Sequence, residues 1–155
     1  KEMLDKVTQQ LPADILICSA AVADWKFIPQ TSSNKQFDIN NKIKKSKNDN
    51  LFFKTIKNQD ILETIANSNL RPKIVIGFSA ETKNIEKNGK SKLISKKVDL
   101  IIANDVSDGK VFGSDFNKIF LIDKNHCEEW NKQSKKSIAF KLANKINNLL
   151  TDFNL

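Results

Sequence analysis

The sequence has little of several residue types on which common enzymatic and secreted-protein chemistries depend. Its 155 residues include two cysteines, one histidine, one arginine, four glycines and no tyrosine. Two cysteines, Cys18 and Cys127, cannot make a disulfide framework, which favours reduced thiols in a cytoplasmic protein. Because His126 stands alone in a polar segment, we expect neither a histidine proton shuttle nor a tetrahedral metal site.

Long apolar runs and glycine-rich phosphate loops are also missing. No run approaches the roughly 18 residues that span a membrane, and no signal-peptide pattern is present. The four glycines form neither a G-x-G-x-x-G nor a G-x-x-x-x-G-K-[ST] pattern. The sequence opens at Lys1 in helical periodicity and without an initiator methionine, so we expect it to be part of a longer polypeptide.

The charge of the chain is strongly positive but is carried almost entirely by lysine. The formal net charge is +8, and Arg71 is the one arginine. A basic surface is typical of nucleic-acid binding, whereas specific base readout relies on bidentate arginine, which lysine cannot reproduce. We therefore treat a basic nucleic-acid-binding module without catalysis as the alternative hypothesis, and much of the charge as a solvated surface.

Apolar strands alternate with amphipathic helices along the chain, which predicts a single α/β domain over residues 1–155 with a mostly parallel sheet. Hydrophobic residues make up 39% of the sequence, enough for a proper core. The predicted strands are Asp14–Ala20, Lys73–Ser79, Val98–Ala103 and Lys118–Asp123, and Leu51–Lys57 is rich in β-formers. Helices are predicted from Met3 to Leu11, from Asn58 to Asn67, from Ile85 to Lys97, and from Ser134 or Ser137 onward.

Residues 27–50 form a Lys- and Asn-rich stretch that we interpret as a long loop within this domain. Loops of that length are usually functional or disordered. The cluster Lys42-Ile43-Lys44-Lys45 could close over phosphates as point charges. A solvated charge run is the ordinary alternative.

Four further segments have the residue types of an anion-binding site. Small residues and a carboxylate end the first strand, where α/β sheets gather ligands, although such an aspartate usually caps its own backbone. A helix start after a strand offers free N–H groups to phosphates, unless its own polar residues cap it. Two lysines four residues apart share one face of a helix. Near the end of the second strand, a glycine would allow close approach of a ligand and a phenylalanine could pack on a nucleotide base, although a phenylalanine there is ordinarily part of the core. These segments are Ala20–Asp24, Asn58–Leu62, Lys92 with Lys96, and Gly77–Thr82.

Six motifs in this order make the chain resemble the phosphopantothenoylcysteine synthetase family, over nearly its whole length. In most bacteria that enzyme is the C-terminal half of a bifunctional coenzyme A biosynthesis flavoprotein. The motifs are Ala20-Ala21-Val22-Ala23-Asp24, Lys42-Ile43-Lys44-Lys45, Asn58-Gln59-Asp60-Ile61-Leu62, Gly77-Phe78-Ser79-Ala80-Glu81-Thr82, Ala103-Asn104-Asp105-Val106-Ser107 and Phe112-Gly113-Ser114-Asp115-Phe116-Asn117.

The resemblance implies a Rossmann-like fold, a homodimer and a two-step ligation. CTP with Mg²⁺ activates the carboxylate of 4′-phosphopantothenate as an acyl-cytidylate and releases pyrophosphate. The amine of cysteine then gives 4′-phosphopantothenoylcysteine and CMP. The decarboxylase half would be fused upstream, so FMN is not expected in this part of the protein.

The resemblance also implies which residues contact CTP. Lys42 would stabilise the developing charge, Lys92 and Lys96 would hold the triphosphate, and backbone near Ala20 and Phe78 would meet the cytosine. No direct metal ligand is implied, and Asp24 would hold either the ribose or water around Mg²⁺. The full set is Cys18, Ser19, Ala20, Asp24, Lys42, Gln59, Asp60, Ile61, Leu62, Phe78, Lys92 and Lys96.

The chain departs from the family pattern in two places. Gln59 stands where the family usually has proline, a mild change at a helix start. The family's opening strand and Gly-rich loop, with the Ser/Asn segment thought to hold phosphopantothenate, precede Lys1, so we expect an N-terminally truncated domain. A folded remnant without activity of its own is therefore a third hypothesis.

Overall fold

The computed structural model describes residues 1–30, 52–109 and 113–153 of the chain. It divides into two compact units, one made of Lys1–Ala20 with Ile61–Leu155 and the other of Ala21–Asp60. The single domain over residues 1–155 stays a prediction, and each unit is described by itself below.

The described residues form four helices and seven strands. None of these helices is long and apolar enough to cross a membrane. In chain order the elements are α1 (Glu2–Gln9), β1 (Ile15–Cys18), β2 (Trp25–Gln30), β3 (Phe52–Lys57), α2 (Ile61–Ala66), β4 (Ile74–Glu81), α3 (Ile85–Lys96), β5 (Leu100–Asp105), β6 (Phe116–Ile122), β7 (Cys127–Ser134) and α4 (Lys135–Phe153).

A five-stranded mixed sheet forms the centre of the larger unit. Its strand order is β1-β4-β5-β6-β7. The pairs β1–β4 and β4–β5 are parallel, while β6 is antiparallel to both β5 and β7. Four of the five strands therefore run in one direction, which confirms the predicted α/β class with a mostly parallel sheet flanked by helices.

Each face of this sheet is covered by different helices. On one face α4 packs through Ile138, Leu142 and Ile146 against the side chains of β4, β5 and β6. On the other face Leu62 and Ala66 of α2 and Leu93 of α3 join a second apolar cluster. The continuous apolar runs of β4 and β5 are explained by this cover on both faces, since Val75, Ile76 and Ile102 are 0% exposed.

Helix α3 approaches the sheet closely because it carries a glycine on its inner face. Gly89 is buried, and a Cβ at this position would overlap the Cδ1 atom of Ile122 in β6. The sequence predicts this helix well, from Ile85 to Lys97 against the observed Ile85–Lys96. The glycine, which is unfavourable in a helix interior, is retained for packing.

Two strand predictions in the larger unit need correction. The first strand is Ile15–Cys18 rather than Asp14–Ala20, and as an edge strand it is not covered on both faces, since Ile17 is 48% exposed. Residues Cys127–Ser134 form β7, which was not predicted because its sequence is polar and charged. It forms because β6 offers a free edge, and the pairing includes a shift in register between Asn117 and Ile119.

The smaller unit contains an antiparallel pair of strands. Trp25 pairs with Lys57 and Gln30 with Phe52, so the predicted loop over residues 27–50 is wrong for its first four residues, which belong to β2. The remainder of that loop lies outside the described residues. The strand predicted from β-formers at Leu51–Lys57 is observed as Phe52–Lys57.

Candidate functional site

The ends of the first two core strands of the larger unit lie side by side. Cys18 is in register with Gly77, so Ser19 and Ala20 continue past the sheet beside Phe78. Ser19 and Ala20 are exposed, whereas Cys18 is half-buried. Two segments predicted to contact the nucleotide, which are 58 positions apart at Ala20 and Phe78, therefore meet at the carboxyl edge of the sheet, where α/β folds bind ligands.

Helix α2 begins at the same edge, and the reason is again a glycine. A Cβ on Gly77 would stand 2.5 Å from Cδ2 of Leu62 and 3.1 Å from Cδ1 of Ile101. The bare backbone of Gly77 thus serves helix-to-sheet packing, and the ligand approach that the sequence suggested stays a prediction. Because the Leu62 side chain is buried in the core, its backbone is the part that could contact a ligand.

Phe78 and Lys92 lie on opposite faces of β4. The half-buried Phe78 packs against the apolar cluster under α4. Lys92 belongs to α3 and bonds to Glu81, whose side chain alternates to the other face of the strand. A single nucleotide with its base near Phe78 and its phosphates near Lys92 would therefore have to pass around the carboxyl end of β4.

A charged network links the end of β4 to α3. Lys92 Nζ donates to Glu81 Oε1 at 2.6 Å, and Asn88 Nδ2 donates to Glu81 Oε2 at 3.0 Å. Burial raises the pKa of the Glu81 carboxyl, but the bonds from Lys92 and Asn88 and the Lys92 charge outweigh it. The pKa of Glu81 therefore lies below its ordinary value, and the carboxyl is ionised at neutral pH.

Two amide side chains, the half-buried Asn104 and the buried Asn117, lie at the same edge, at the ends of β5 and β6. Asn104 Nδ2 donates to the main-chain oxygen of Ser79 at 3.1 Å, and Asn117 Nδ2 donates to Asn104 Oδ1 at 2.6 Å. Asn117 Oδ1 and Ser79 Oγ are buried without a hydrogen-bond partner among the described residues, although the Ser79 hydroxyl is near enough to Glu81 to favour its ionised form. The Asn104 amide thus joins three strands.

The next motif residue, Asp105, has a local role. Its Oδ1 accepts bonds from Ser107 Oγ at 2.6 Å and from Ser107 N at 3.1 Å. These bonds lower the pKa of the Asp105 carboxyl and fix the turn that follows β5.

In the smaller unit, Asn58 holds the end of the strand pair. Its Nδ2 donates to the carbonyl of Ala23 at 2.8 Å, and its backbone N–H donates to the carbonyl of Asp24 at 2.7 Å. The Asp24 side chain is exposed, as is that of Gln59, and Asp60 is half-buried directly before α2. Both of these bonds tie Asn58 to the segment that leads into β2.

The remaining predicted residues can be placed only in part. Lys42, proposed to stabilise developing charge, lies outside the described residues. Ile61 is half-buried at the first position of α2, and Lys96 is half-buried one turn after Lys92 on α3.

The single arginine of the chain serves the fold. Arg71 Nη2 bonds to Asp99 Oδ2 at 2.8 Å, and its guanidinium also donates to the carbonyls of Pro72, Lys73 and Lys97. The same Asp99 oxygen accepts the backbone N–H of Val75 at 2.7 Å. This network joins the amino ends of β4 and β5, away from the candidate site.

Sequence reasoning did not assign roles to four residues that the structure places at this edge, namely Glu81, Asn88, Asn104 and Asn117. Three of them lie within or beside the motifs quoted above. Asn88 carries no motif signal, and its role depends on where α3 crosses the sheet.

The sequence and the fold of the chain are similar to those of known proteins. The profile of the DNA/pantothenate metabolism flavoprotein C-terminal domain matches residues 1–150. The chain is 40% identical over 127 residues to the coenzyme A biosynthesis bifunctional protein CoaBC of Borreliella burgdorferi, covering 81% of this chain and 30% of that protein. The chain thus spans less than a third of that relative's length.

Two solved structures are similar to the chain. The C-terminal domain of a coenzyme A biosynthesis bifunctional protein CoaBC matches with a TM-score of 0.68 and 27% identity, covering 97% of this chain and 64% of the other. A DNA/pantothenate metabolism flavoprotein from Streptococcus pneumoniae matches with a TM-score of 0.72 and 25% identity, covering 95% and 69% of the two chains.

Proposed function

Since the chain belongs to the DNA/pantothenate metabolism flavoprotein C-terminal domain family, we propose that it serves coenzyme A biosynthesis as a CTP-dependent phosphopantothenate–cysteine ligase. The observation that carries this proposal is the edge of the sheet where Cys18 pairs with Gly77 and Glu81 holds Lys92. Exposed backbone at Ser19 and Ala20, the ring of Phe78 and the Lys92 ammonium all lie near this edge, and a nucleotide that reaches around the end of β4 could use all three.

In the first step an oxygen of the 4′-phosphopantothenate carboxylate attacks the α-phosphorus of CTP, and the bond to the bridging oxygen breaks. Pyrophosphate leaves with the electron pair, and an acyl-cytidylate remains. This displacement needs positioning and charge stabilisation more than covalent help from the protein. Lys92 and Lys96 would hold the phosphates, and Lys42 would stabilise charge at the reacting phosphorus.

In the second step the amine of cysteine attacks the acyl carbonyl, the bond to the cytidylate oxygen breaks, and CMP leaves. The attacking amine loses a proton to solvent or to a basic group of the site. The products are 4′-phosphopantothenoylcysteine and CMP.

Mg²⁺ would enter with CTP and neutralise phosphate charge. Among the described residues no three His, Cys, Asp or Glu side chains group as a metal site. The nucleotide would supply most of the metal's ligands, and the exposed Asp24 would either reach the metal through water or hold the ribose.

The proposal includes a cytoplasmic homodimer and a phosphopantothenoylcysteine decarboxylase part fused upstream, with FMN bound in that part. The relative from Borreliella burgdorferi is described as bifunctional, which supports the fusion. The mass of the natural protein in solution would test the homodimer and the fusion, and its flavin content would test the bound FMN.

The decisive experiment measures nucleotide preference and product together. In the full-length natural protein, CTP with Mg²⁺ should raise Tm more than ATP does, and 4′-phosphopantothenate with CTP and cysteine should release pyrophosphate. Equal shifts for the two nucleotides would overturn the proposal. Nucleotide binding without pyrophosphate release would favour a folded remnant without activity.

Nucleic-acid binding is the second candidate, because of the net charge of +8. It predicts an affinity for polynucleotides that falls steeply with salt and does not change in Lys92→Ala. The engagement of Arg71 with Asp99 and three carbonyls argues against it, since that guanidinium is committed to the fold.

A further inference from the structure

Glu81 combines burial, charge and a lysine partner, and the ligase proposal assigns this carboxylate no role of its own in nucleotide binding. It ends β4 and is 7% exposed. Both carboxylate oxygens accept bonds from α3, one from Lys92 at 2.6 Å and the other from Asn88 at 3.0 Å. Its main-chain oxygen accepts the N–H of Val106 at 3.0 Å, so the carboxylate stands on a fixed backbone.

The partner lysine remains accessible although the carboxylate is covered. The Lys92 side chain is 40% exposed and that of Glu81 is 9% exposed. An ammonium group has three N–H donors, and one of them is directed at Glu81 Oε1. The other donors of Lys92 can therefore reach an anion at the edge of the sheet while the ammonium stays anchored.

We propose that Glu81 is a positioning residue, whose buried carboxylate fixes the Lys92 ammonium at the end of β4 for the phosphates of a bound nucleotide. This inference rests on the proposed function. A lysine side chain is rich in rotamers, and ordering it on binding weakens affinity. Because Glu81 already holds Lys92, the loss of side-chain entropy occurs when the chain folds and does not weaken the binding of the nucleotide.

The pair of Glu81 and Lys92 could have two other effects, which the experiment must distinguish from the positioning of Lys92. As a tether, the pair would join α3 to β4 and affect stability alone, although buried ion pairs often add little net stability. As a nearby negative charge, Glu81 would repel phosphates, and its removal would then tighten nucleotide binding.

The chain contains a matched control on the same helix. Lys90 Nζ bonds to Glu86 Oε1 at 2.6 Å, but the Glu86 side chain is 58% exposed. Glu86→Gln makes the same chemical change in an ion pair of the same length that is exposed to water.

The experiment compares Glu81→Gln with Glu86→Gln in the full-length natural protein, measuring KM for CTP, kcat and Tm. Glutamine keeps the size and one acceptor of Glu81 but removes the charge that holds the ammonium. We expect the KM for CTP to rise about two- to tenfold in Glu81→Gln, as for one unfixed side chain, with kcat within about twofold. Glu86→Gln should leave both constants unchanged.

A lysine background shows whether the effect passes through Lys92. In Lys92→Ala, which itself raises the KM, the added Glu81→Gln change should raise it no further. If Glu81→Gln folds poorly, Glu81→Asp, which keeps the charge but shortens the reach, should give a smaller rise in KM.

Three results overturn the inference. They are an unchanged or lower KM in Glu81→Gln when the parent binds CTP, a rise that persists in the Lys92→Ala background, and a fall in Tm as the sole effect. A parent protein that does not bind CTP overturns the proposed function itself, and the inference with it.

Discussion

Replacement of Gly89 by alanine in α3 places two known effects in opposition. Alanine is better than glycine in a helix interior by about 0.8–1.0 kcal/mol. The new Cβ would overlap Cδ1 of Ile122, while the next atoms, Ile122 Cγ1 and Ile101 Cγ2, stand at 3.5 and 3.8 Å. Overpacking of this kind costs about 1–3 kcal/mol, so packing wins and we expect Gly89→Ala to lose about 1 kcal/mol.

A second substitution tests that reasoning atom by atom. Ile122→Val removes Cδ1 and keeps Cγ1, at a cost of about 0.5–1.5 kcal/mol by itself. In that background the alanine Cβ has space, so Gly89→Ala should stabilise by up to about 1 kcal/mol. The two changes should therefore be coupled by about 2 kcal/mol, within the range for residues in contact.

Urea unfolding of the parent, the two single variants and the double variant measures this coupling. The Tm of Gly89→Ala should fall by about 2–4 °C for each kcal/mol in a chain of this size. Ser91→Ala, at an exposed position of the same helix, is the control and should be neutral or slightly stabilising. If Gly89→Ala stabilises the parent and the Ile122→Val background equally, the proposed overlap does not exist.

Three further predictions concern stability. Arg71→Lys should lower the free energy of unfolding by about 1–3 kcal/mol in urea, because lysine cannot bridge Asp99 and three carbonyls at once; an unchanged midpoint would contradict this. The folded-state pKa of Glu81 lies below its ordinary value of 4.5, so its ionised form stabilises the fold above that pH. The stability of the parent relative to Glu81→Gln should thus be constant near neutral pH and decline as pH falls below 4.5, and a difference independent of pH would refute the assignment. Asn104→Ala should cost about 1–3 kcal/mol in thermal unfolding, because it leaves the buried Asn117 amide unbonded, and a neutral result would show that water replaces the lost partner.

The parallel part of the sheet was predictable because its strands are continuously apolar. The bounds predicted at Lys73–Ser79 and Val98–Ala103 lie within two residues of those of β4 and β5. β7 was not, because a polar edge strand is defined by its neighbour rather than by its own residues. The direction of β6 could not be predicted either, because the residues of a strand do not determine whether it pairs parallel or antiparallel to its neighbour.

The candidate site shows the same limit at the level of side chains. The pair Glu86–Lys90 follows from i,i+4 spacing on one helix and could be read directly from the sequence. The pair Glu81–Lys92 spans a strand, a turn and a helix, so its existence depends on how α3 lies over the sheet. Sequence motifs could indicate that Lys92 matters, but could not name the carboxylate that holds it.

The two cysteines of the chain lie at opposite ends of the sheet, because β6 runs antiparallel to its neighbours. Because β7 runs in the same direction as β1, Cys18 ends its strand at the candidate site and Cys127 begins its strand at the opposite edge. Burial raises the pKa of the Cys127 thiol, which slows its alkylation. Alkylation of Cys18 should therefore be slowed by a ligand at the carboxyl edge while that of Cys127 stays constant, so the unmodified protein carries both a probe and its internal reference.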